Sequence, residues 1–426
     1  MRPSSALRPA ADPTGRVFVC YRSTHRADIG LVIEAMLNLG VPPWQDRRDL
    51  SSEPLAPALR DALTSPTTAG VLFWLSRKVL ESATIQRLEL PTVLQRMRED
   101  ATFYAEICAT DGIEFKDVSS ALPLMPLVED LGTAWNIHRT PSTTGPDGVS
   151  CIDEKEATKV ACRLLKRRLQ KSDARLGAGE PFRVLLNAHG AAGEAFQLGY
   201  HLQLNWARHF DTRFARGDAW TKLLLPALGQ VFTAIRDTAP TRPLHIEGFA
   251  SLATCLALGW TFREVTGARL AWLQKPSNTL WSLECAEEDS GFIADPLREL
   301  VLDSTDLAVF VSVLADVEPP VKVTMSDLNI RFCAVSVVRH RDGVARRDLA
   351  NGRQAAHLAR LTVNAIRDAR TKLRVVQRIH IFCAAPAGLA LLIGQQLNAL
   401  GPIQTYEHDQ SSDAVGRYVP AALLQP

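Results

Sequence analysis

Residues able to bind or react gather, in this sequence, just after short apolar runs. Tyr21-Arg22 follows Val17–Cys20, Ser76 closes Val71–Leu75, and Trp44–Leu50 follows the extended Pro42-Pro43. Farther on, Gly248–Ser251 follows Leu244–Glu247, Gln274-Lys275 follows Arg269–Leu273, and Ala385–Gly388 follows His380–Ala384, with Ser312 set between them. If the runs are strands of an open α/β sheet, these residues lie beyond the carboxyl ends, where helix N-termini aim their N–H groups at a ligand. Small residues there let a ligand approach the backbone. One carboxylate joins them. Glu89, in Ser82-Ala-Thr-Ile-Gln-Arg-Leu-Glu89-Leu-Pro91, sits near the start of a helix after the run Ala69–Leu75, with Ile85, Leu88 and Val93 on the inward face. By itself that position also suits a surface glutamate. His189 and His245 border apolar runs as structural histidines do. Arg163, Lys166, Arg167 and Arg168, like the stretch Arg339–Arg347, fit solvated faces.

Other chemistries lack their signatures. There is no Gly-x-x-x-x-Gly-Lys-Ser/Thr loop, no Gly-x-Ser-x-Gly elbow and no His-Glu-x-x-His pair. Gly177-Ala-Gly179 lacks the third glycine of a dinucleotide fingerprint and reads as a flexible loop. No two of the eight cysteines stand in a Cys-x-x-Cys spacing, and several sit in apolar runs, so the expectation is buried thiols in a reducing, cytoplasmic compartment and no metal. A net charge of +2 argues against a protein that coats DNA. The longest apolar stretches, near Ala250–Trp260 and Ile381–Gly394, fall short of the roughly 18 residues a membrane span needs, and the N-terminus has no apolar signal segment.

The elements that would position these residues alternate. Arg16–Cys20 and Ala69–Leu75 read as strands, as does Leu122–Val128, and Leu55–Leu63 and Val79–Met97 read as helices. Alternation of this kind implies a parallel sheet with helices on both faces. Thr140–Ser150, rich in Thr, Pro and Gly, is the best linker in the 426 residues. Residues 1–140 carry 15 basic and 17 acidic side chains, and the remainder 33 and 29, which puts the cationic excess in the C-terminal part. Beyond the linker come a basic helix over Ala157–Leu169, a strand over Phe182–Leu186 and a helical pattern over Ala219–Ile235. Two segments about 136 residues apart then repeat one pattern of strand, small-residue turn, helix, Gly turn and strand, one from Leu244 and the other from His380, which suggests two related α/β halves.

Together, Val17-Phe-Val-Cys-Tyr21-Arg22, Gly40-Val-Pro-Pro-Trp44-Gln-Asp46-Arg47-Arg48-Asp49-Leu50, Val71-Leu-Phe-Trp-Leu-Ser76 and Ser82 through Glu89-Leu90-Pro91 resemble a TIR domain in order and spacing, over roughly residues 15–135. The resemblance implies a flavodoxin-like fold and makes Glu89 the counterpart of the catalytic glutamate of the NAD-cleaving members. Tyr21, Arg22, Trp44, Asp46, Arg48 and Ser76 would then hold NAD+: Trp44 or Tyr21 by stacking on a planar ring, Arg22 and Arg48 on the pyrophosphate. Two features depart from the family pattern. The first strand ends Cys20-Tyr21 where Ser-Tyr is usual, and Ala83-Thr84-Ile85 stands where an aromatic often precedes the glutamate.

His245-Ile-Glu-Gly248, Leu258-Gly259-Trp260, Thr266-Gly267, Ile379-His-Ile-Phe-Cys-Ala-Ala385-Pro386, Gly394-Gln-Gln-Leu-Asn398 and Tyr406-Glu407 resemble a SAVED domain. That domain is the sensor of bacterial anti-phage (CBASS) systems that signal with cyclic oligonucleotides, and it is built of two fused Rossmann-like (CARF-like) halves. The expected layout is a TIR domain over 15–138, a linker over 139–150 and a SAVED domain over 151–426, with halves of about 151–300 and 301–426. Gly248, Ser251, Gln274, Lys275, Ser312, Ala385, Pro386 and Gly388 would line its ligand pocket, and Trp281 and Tyr406 would stack adenines. The implied activity is NAD+ hydrolysis, with NAD+ as substrate rather than cofactor. A cyclic oligoadenylate, cyclic triadenylate in particular, would switch it on by driving head-to-tail homo-oligomers or filaments. One alternative is a non-enzymatic TIR scaffold assembled by the same messenger. Another is a C-terminal part that opens its own ligand.

Overall fold

A computed structural model describes residues 9–45, 55–76, 82–110, 137–144, 150–193, 195–300, 303–343, 347–410 and 415–425. The chain divides into two compact units. The first comprises residues 1–177, 195–204 and 237–239, and the second 178–194, 205–236 and 240–426.

In the first unit, β1 (Arg16–Cys20), α1 (Arg26–Asn38), β2 (Pro43–Trp44), α2 (Leu55–Thr64), β3 (Thr68–Leu75), α3 (Leu90–Glu99), β4 (Tyr104–Ala109) and β5 (Ile137–Arg139) follow in order. The sheet runs β2-β1-β3-β4-β5 with every pair parallel. Strand order reverses at β1, so the crevice between the carboxyl ends of β1 and β3 is the switch point where such sheets take ligands. All eight residues of β3 are buried, which explains its uninterrupted apolar sequence. The strand expected over Leu122–Val128 lies outside the described residues.

Just before α3 comes one π turn, Ile85–Glu89, closed by the Leu90 N–H on the Ile85 carbonyl. Pro91 has no N–H to donate to the usual helical acceptor, and the wider turn absorbs that missing bond. The same device recurs at Trp220–Leu224, which precedes Leu225-Pro226.

The linker is partly structured: β6 (Thr143–Thr144) pairs antiparallel with β7 (Ser150–Cys151). The helix after it, α4 (Glu154–Arg175), groups with the first unit. Its basic residues are not the solvated face expected from sequence. Arg163 and Arg167 bind the buried Glu106 of β4 at 2.5 and 2.9 Å. Arg168 is fully buried and donates to the carbonyls of Thr14, Gly15, Tyr200 and His201. A guanidinium carries five fixed donors, so one buried side chain can serve four carbonyls at once.

The second unit holds two α/β halves. In the first are β8 (Phe182–Ala188), α5 (Leu225–Thr238), β9 (Leu244–Ala250), α6 (Leu252–Thr261), β10 (Leu270–Gln274) and β11 (Thr279–Ser282), with strands β8, β9 and β10 parallel and β11 antiparallel to β10. In the second are β12 (Phe292–Ala294), β13 (Arg298–Glu299), β14 (Asp306–Ser312), α7 (Glu318–Asp327), β15 (Ala334–His340), α8 (Gly352–Lys372), β16 (Arg378–Ala384), α9 (Ala387–Gln396), β17 (Ile403–Asp409) and β18 (Arg417–Leu424). The sheet order is β12-β15-β14-β16-β17-β18, with β13 also on β15 and the four central strands parallel.

The repeated units β9-α6-β10 and β16-α9-β17 meet through their helices. A Cβ on Gly259 of α6 would collide with the Leu391 carbonyl of α9, and one on Gly394 of α9 would collide with the Leu256 carbonyl of α6. The contact is reciprocal, so the two helices cross backbone to backbone at equivalent glycines. No helix among the described residues is long and apolar enough to cross a membrane.

Candidate functional sites

In the first unit the switch point is occupied by Glu89. The π turn places its carboxylate on the thiol of Cys20, the last residue of β1, and only 7 % of Glu89 is exposed. Burial pushes the Cys20 thiol well above its usual range, and the charge and hydrogen bond of Glu89 push it further. The thiol therefore stays neutral and donates to the carboxylate. Ser76 is fully buried just past β3. Tyr21 is half-buried, its hydroxyl accepting from Gln45 Nε2 at 2.8 Å, and Arg22 is exposed. Trp44 departs from expectation. It is 9 % exposed and stacks on Phe18 at 4.6 Å and 13° within the apolar cluster that also holds Leu75, Ile85 and Leu88, so it packs the core instead of offering an open platform. Asp46 and Arg48 lie outside the described residues.

The second unit contains a cavity of about 390 Å³, within the range of small-molecule sites. Both halves build it. His189, Phe249, Ala250 and Leu252 come from the carboxyl ends of β8 and β9 and the start of α6. Leu314–Asp316, Pro320, Cys383–Ala385, Glu407, His408 and Tyr418 come from the corresponding end of the second sheet, and Arg213 reaches in from the turn of a short antiparallel hairpin, Phe210–Asp211 with Phe214–Ala215, between β8 and α5.

Its electrostatics centre on Glu407. The carboxylate accepts from the Ala253 N–H at 2.5 Å and from the Ser251 hydroxyl, at the first turn of α6. No lysine or arginine among the described residues forms an ion pair with it, and burial pushes it up to about 7 despite those hydrogen bonds and Arg213. Burial lowers His189 and His408, and Arg213 lowers both further. Phe249, 51 % exposed at this cavity, packs on His189 with ring centroids 4.3 Å apart.

Of the residues expected in this pocket, Ala385 lines it. Gly248 and Ser251 flank lining residues but have structural duties. Gly248 has φ +143° with its α-carbon against the Leu186 backbone, and Ser251 caps α6 by accepting from the Thr254 N–H. Ser312 accepts from the Val317 N–H ahead of α7, and Pro386 is the N-cap of α9. Gln274 and Lys275 are bound to their own turn, Lys275 Nζ lying 2.7 Å from Asn278 Oδ1.

Three expectations are corrected by burial. Tyr406 is 2 % exposed, stacked on Phe382 at 4.2 Å with its hydroxyl on His380 Nδ1, and Trp281 is 3 % exposed, so neither can stack an adenine. Gly388 is the space that Trp281 fills: a Cβ there would lie 2.9 Å from the indole. His189, Arg213, Glu407 and His408 were not among the pocket candidates. The rule that ligands sit beyond strand carboxyl ends would have reached three of them had it been applied to the ends of β8 and β17. Arg213, in a hairpin turn away from those strand ends, carries no such signal. Among the described residues no group of three or more His, Cys, Asp or Glu side chains is arranged to hold a metal ion.

Residues 227–424 match the family model of SAVED, the SMODS-associated and fused to various effectors sensor domain. A curated protein, CD-NTase-associated protein 4 of Enterobacter hormaechei subsp. hoffmannii, is 25 % identical over 215 residues, which cover 50 % of this chain and 42 % of that protein. The chain thus spans less than half the length of that relative. Among solved structures, the Acinetobacter baumannii Cap4 SAVED/CARF-domain receptor with the cyclic trinucleotide 3′3′3′-cAAA aligns with a TM-score of 0.46 at 14 % identity, covering 96 % of this chain and 80 % of that one. The Moraxella osloensis Cap4 receptor aligns at 0.41 and 14 %, covering 96 % and 87 %. An N-terminal TIR domain is not among these matches.

Proposed function

We propose that the second unit is the sensor for a cyclic oligonucleotide and that the first unit is an NAD+ hydrolase which the sensor switches on. The observation that carries the sensor reading is the cavity of the second unit, walled by strand ends of both repeats and lined mostly by residues of the SAVED match, with His189 and Arg213 added from ahead of it. A cyclic oligoadenylate, the ligand that the sequence resemblance implies, presents several phosphates and flat bases. Arg213 supplies a cation, and the exposed Phe249 a ring face on which a base can stack.

The enzyme reading rests on the TIR resemblance and on Glu89 at the switch point. In NAD+ the leaving nicotinamide is a neutral base departing from a cationic pyridinium, so breaking its bond to ribose builds positive charge on the sugar. A fixed carboxylate beside that carbon stabilises the developing cation and can accept from the ribose hydroxyls. The Cys20 thiol, itself neutral, donates to Glu89 and so helps to hold it in place. No metal and little acid catalysis of departure are required. In this reading the messenger gathers chains head to tail, and neighbouring TIR domains complete each other's sites.

A scaffold without activity is the second reading, favoured by the shallow exposure of Glu89 and the closure of Trp44 into the core. One experiment separates the two. The full chain is incubated with NAD+ and cyclic di-, tri- and tetra-adenylate, and nicotinamide release is followed. Release that depends on one of the rings supports the hydrolase. Ligand-dependent assembly with no release leaves the scaffold.

A further inference from the structure

We infer that the cavity of the second unit takes up its anionic ligand together with a proton, and that the Glu407 carboxyl carries it. The inference rests on the reading of that cavity as the messenger site. Three observations lead to it. Glu407 lines the cavity that would receive the phosphates, so ligand charge and carboxylate charge share one poorly solvated space. The carboxylate cannot swing aside, because the Ala253 N–H and the Ser251 hydroxyl pin it at the start of α6. No ion pair among the described residues neutralises it. The groups facing it are Cys255 on α6, Cys383 on β16 and Tyr418 on β18, all with raised pKa values, along with Arg213, Asp316 and the two histidines His189 and His408. Arg213 is then the only cation of permanent charge lining the cavity among the described residues.

Two like charges in one buried space cannot both persist at low cost, and the group whose pKa already stands near neutrality gives way. In the free protein Glu407 is about half ionised near pH 7. A bound phosphate raises its pKa further, so binding above pH 7 draws a proton from solvent. The fit also explains how α6 can point its N-terminus at an anion site while its own first turn is already occupied: Glu407 holds that place as a carboxylate in the empty protein and remains there as a neutral acid beneath the ligand.

The test is calorimetry of the full chain with 3′3′3′-cyclic triadenylate at pH 6.5, 7.5 and 8.5, each in buffers of different ionisation enthalpy. At pH 7.5–8.5 wild type is expected to take up between half a proton and one proton per site, with Kd weakening by up to roughly tenfold per pH unit. Glu407→Gln, which keeps the hydrogen-bond acceptor, should bind without uptake in that range and hold its Kd level. His189→Asn should leave the uptake at pH 8.5 unchanged; loss of uptake in that variant would place the proton on the imidazole and overturn its assignment to Glu407. Wild-type binding with no uptake, or uptake that survives in Glu407→Gln, overturns the proton-carrier assignment and leaves the cavity as a ligand site. Absence of binding at every pH overturns the cavity reading and this inference with it.

Discussion

Replacing Glu407 with glutamine should change the pH dependence of stability even without ligand. The folded carboxyl stands at about 7 because it is wholly buried, against an ordinary 4.5. Between those two pH values the folded chain holds a proton that the unfolded chain has released, so stability falls as pH rises through the window and levels off above it. A difference of about 2.5 units at 1.36 kcal/mol each gives about 3 kcal/mol. The glutamine variant lacks that slope. The measurement is native-state hydrogen exchange of the β17 amides, Ile403–Asp409, at pH 5, 6, 7 and 8, which reads this element without assuming that both units unfold together. The gap between wild type and variant should shift against wild type by about 3 kcal/mol from the acid end to the alkaline end. Parallel profiles for the two proteins would refute the reasoning, because they would mean that the carboxyl ionises alike in the folded and unfolded chain.

Other outcomes follow from the same geometry. Glu89→Gln should keep its thermal midpoint and its ligand-induced assembly while losing 10²-fold or more of ligand-dependent nicotinamide release, in line with loss of one electrostatic stabiliser; full activity would remove Glu89 from the role. Gly394→Ala should destabilise the second unit by about 1–3 kcal/mol, because the new methyl must displace the Leu256 carbonyl, and a neutral effect in urea unfolding would contradict the close crossing of α6 and α9. Arg168→Met should cost the first unit about 3–5 kcal/mol by leaving four carbonyls without their donor, seen as faster exchange in β1; unchanged protection there would deny Arg168 its structural role. Light scattering with and without cyclic triadenylate should show a ligand-dependent rise in size, and a constant size would remove assembly from the activation scheme.

The elements easiest to read in the sequence were the strands buried on both sides. Val17–Cys20 and Ala69–Leu75 are continuous apolar runs, and Ile379–Ala384 is interrupted only by His380, because parallel strands have no solvent face. Tyr104–Ala109 escaped because Glu106 interrupts it, and that charge makes sense only beside Arg163 and Arg167, some 60 residues on. The repeat was legible as far as its pattern of elements, but the paired glycines of its helix crossing carry meaning only once the helices are seen to touch. Large aromatics were the poorest guides to the sites. Trp44, Trp281 and Tyr406 look in sequence as Phe249 does, yet three are enclosed and one is open. Local sequence records that a ring is present. Only tertiary packing decides whether its face is free.

The turn that presents Glu89 has a consequence for comparing this chain with others. A π turn amounts to one residue inserted into an α-helix. Delete a residue between Ile85 and Leu88 and the ladder closes as a regular helix, but everything on one side of the cut rotates by about 100° relative to the other. The acid could no longer meet Cys20 while α3 kept its inward face. Its aim is thus encoded in the count of residues before Pro91 as much as in its own identity. Aligned without a gap to a chain that lacks the extra residue, this stretch would pair Glu89 with the position next to the structurally equivalent one.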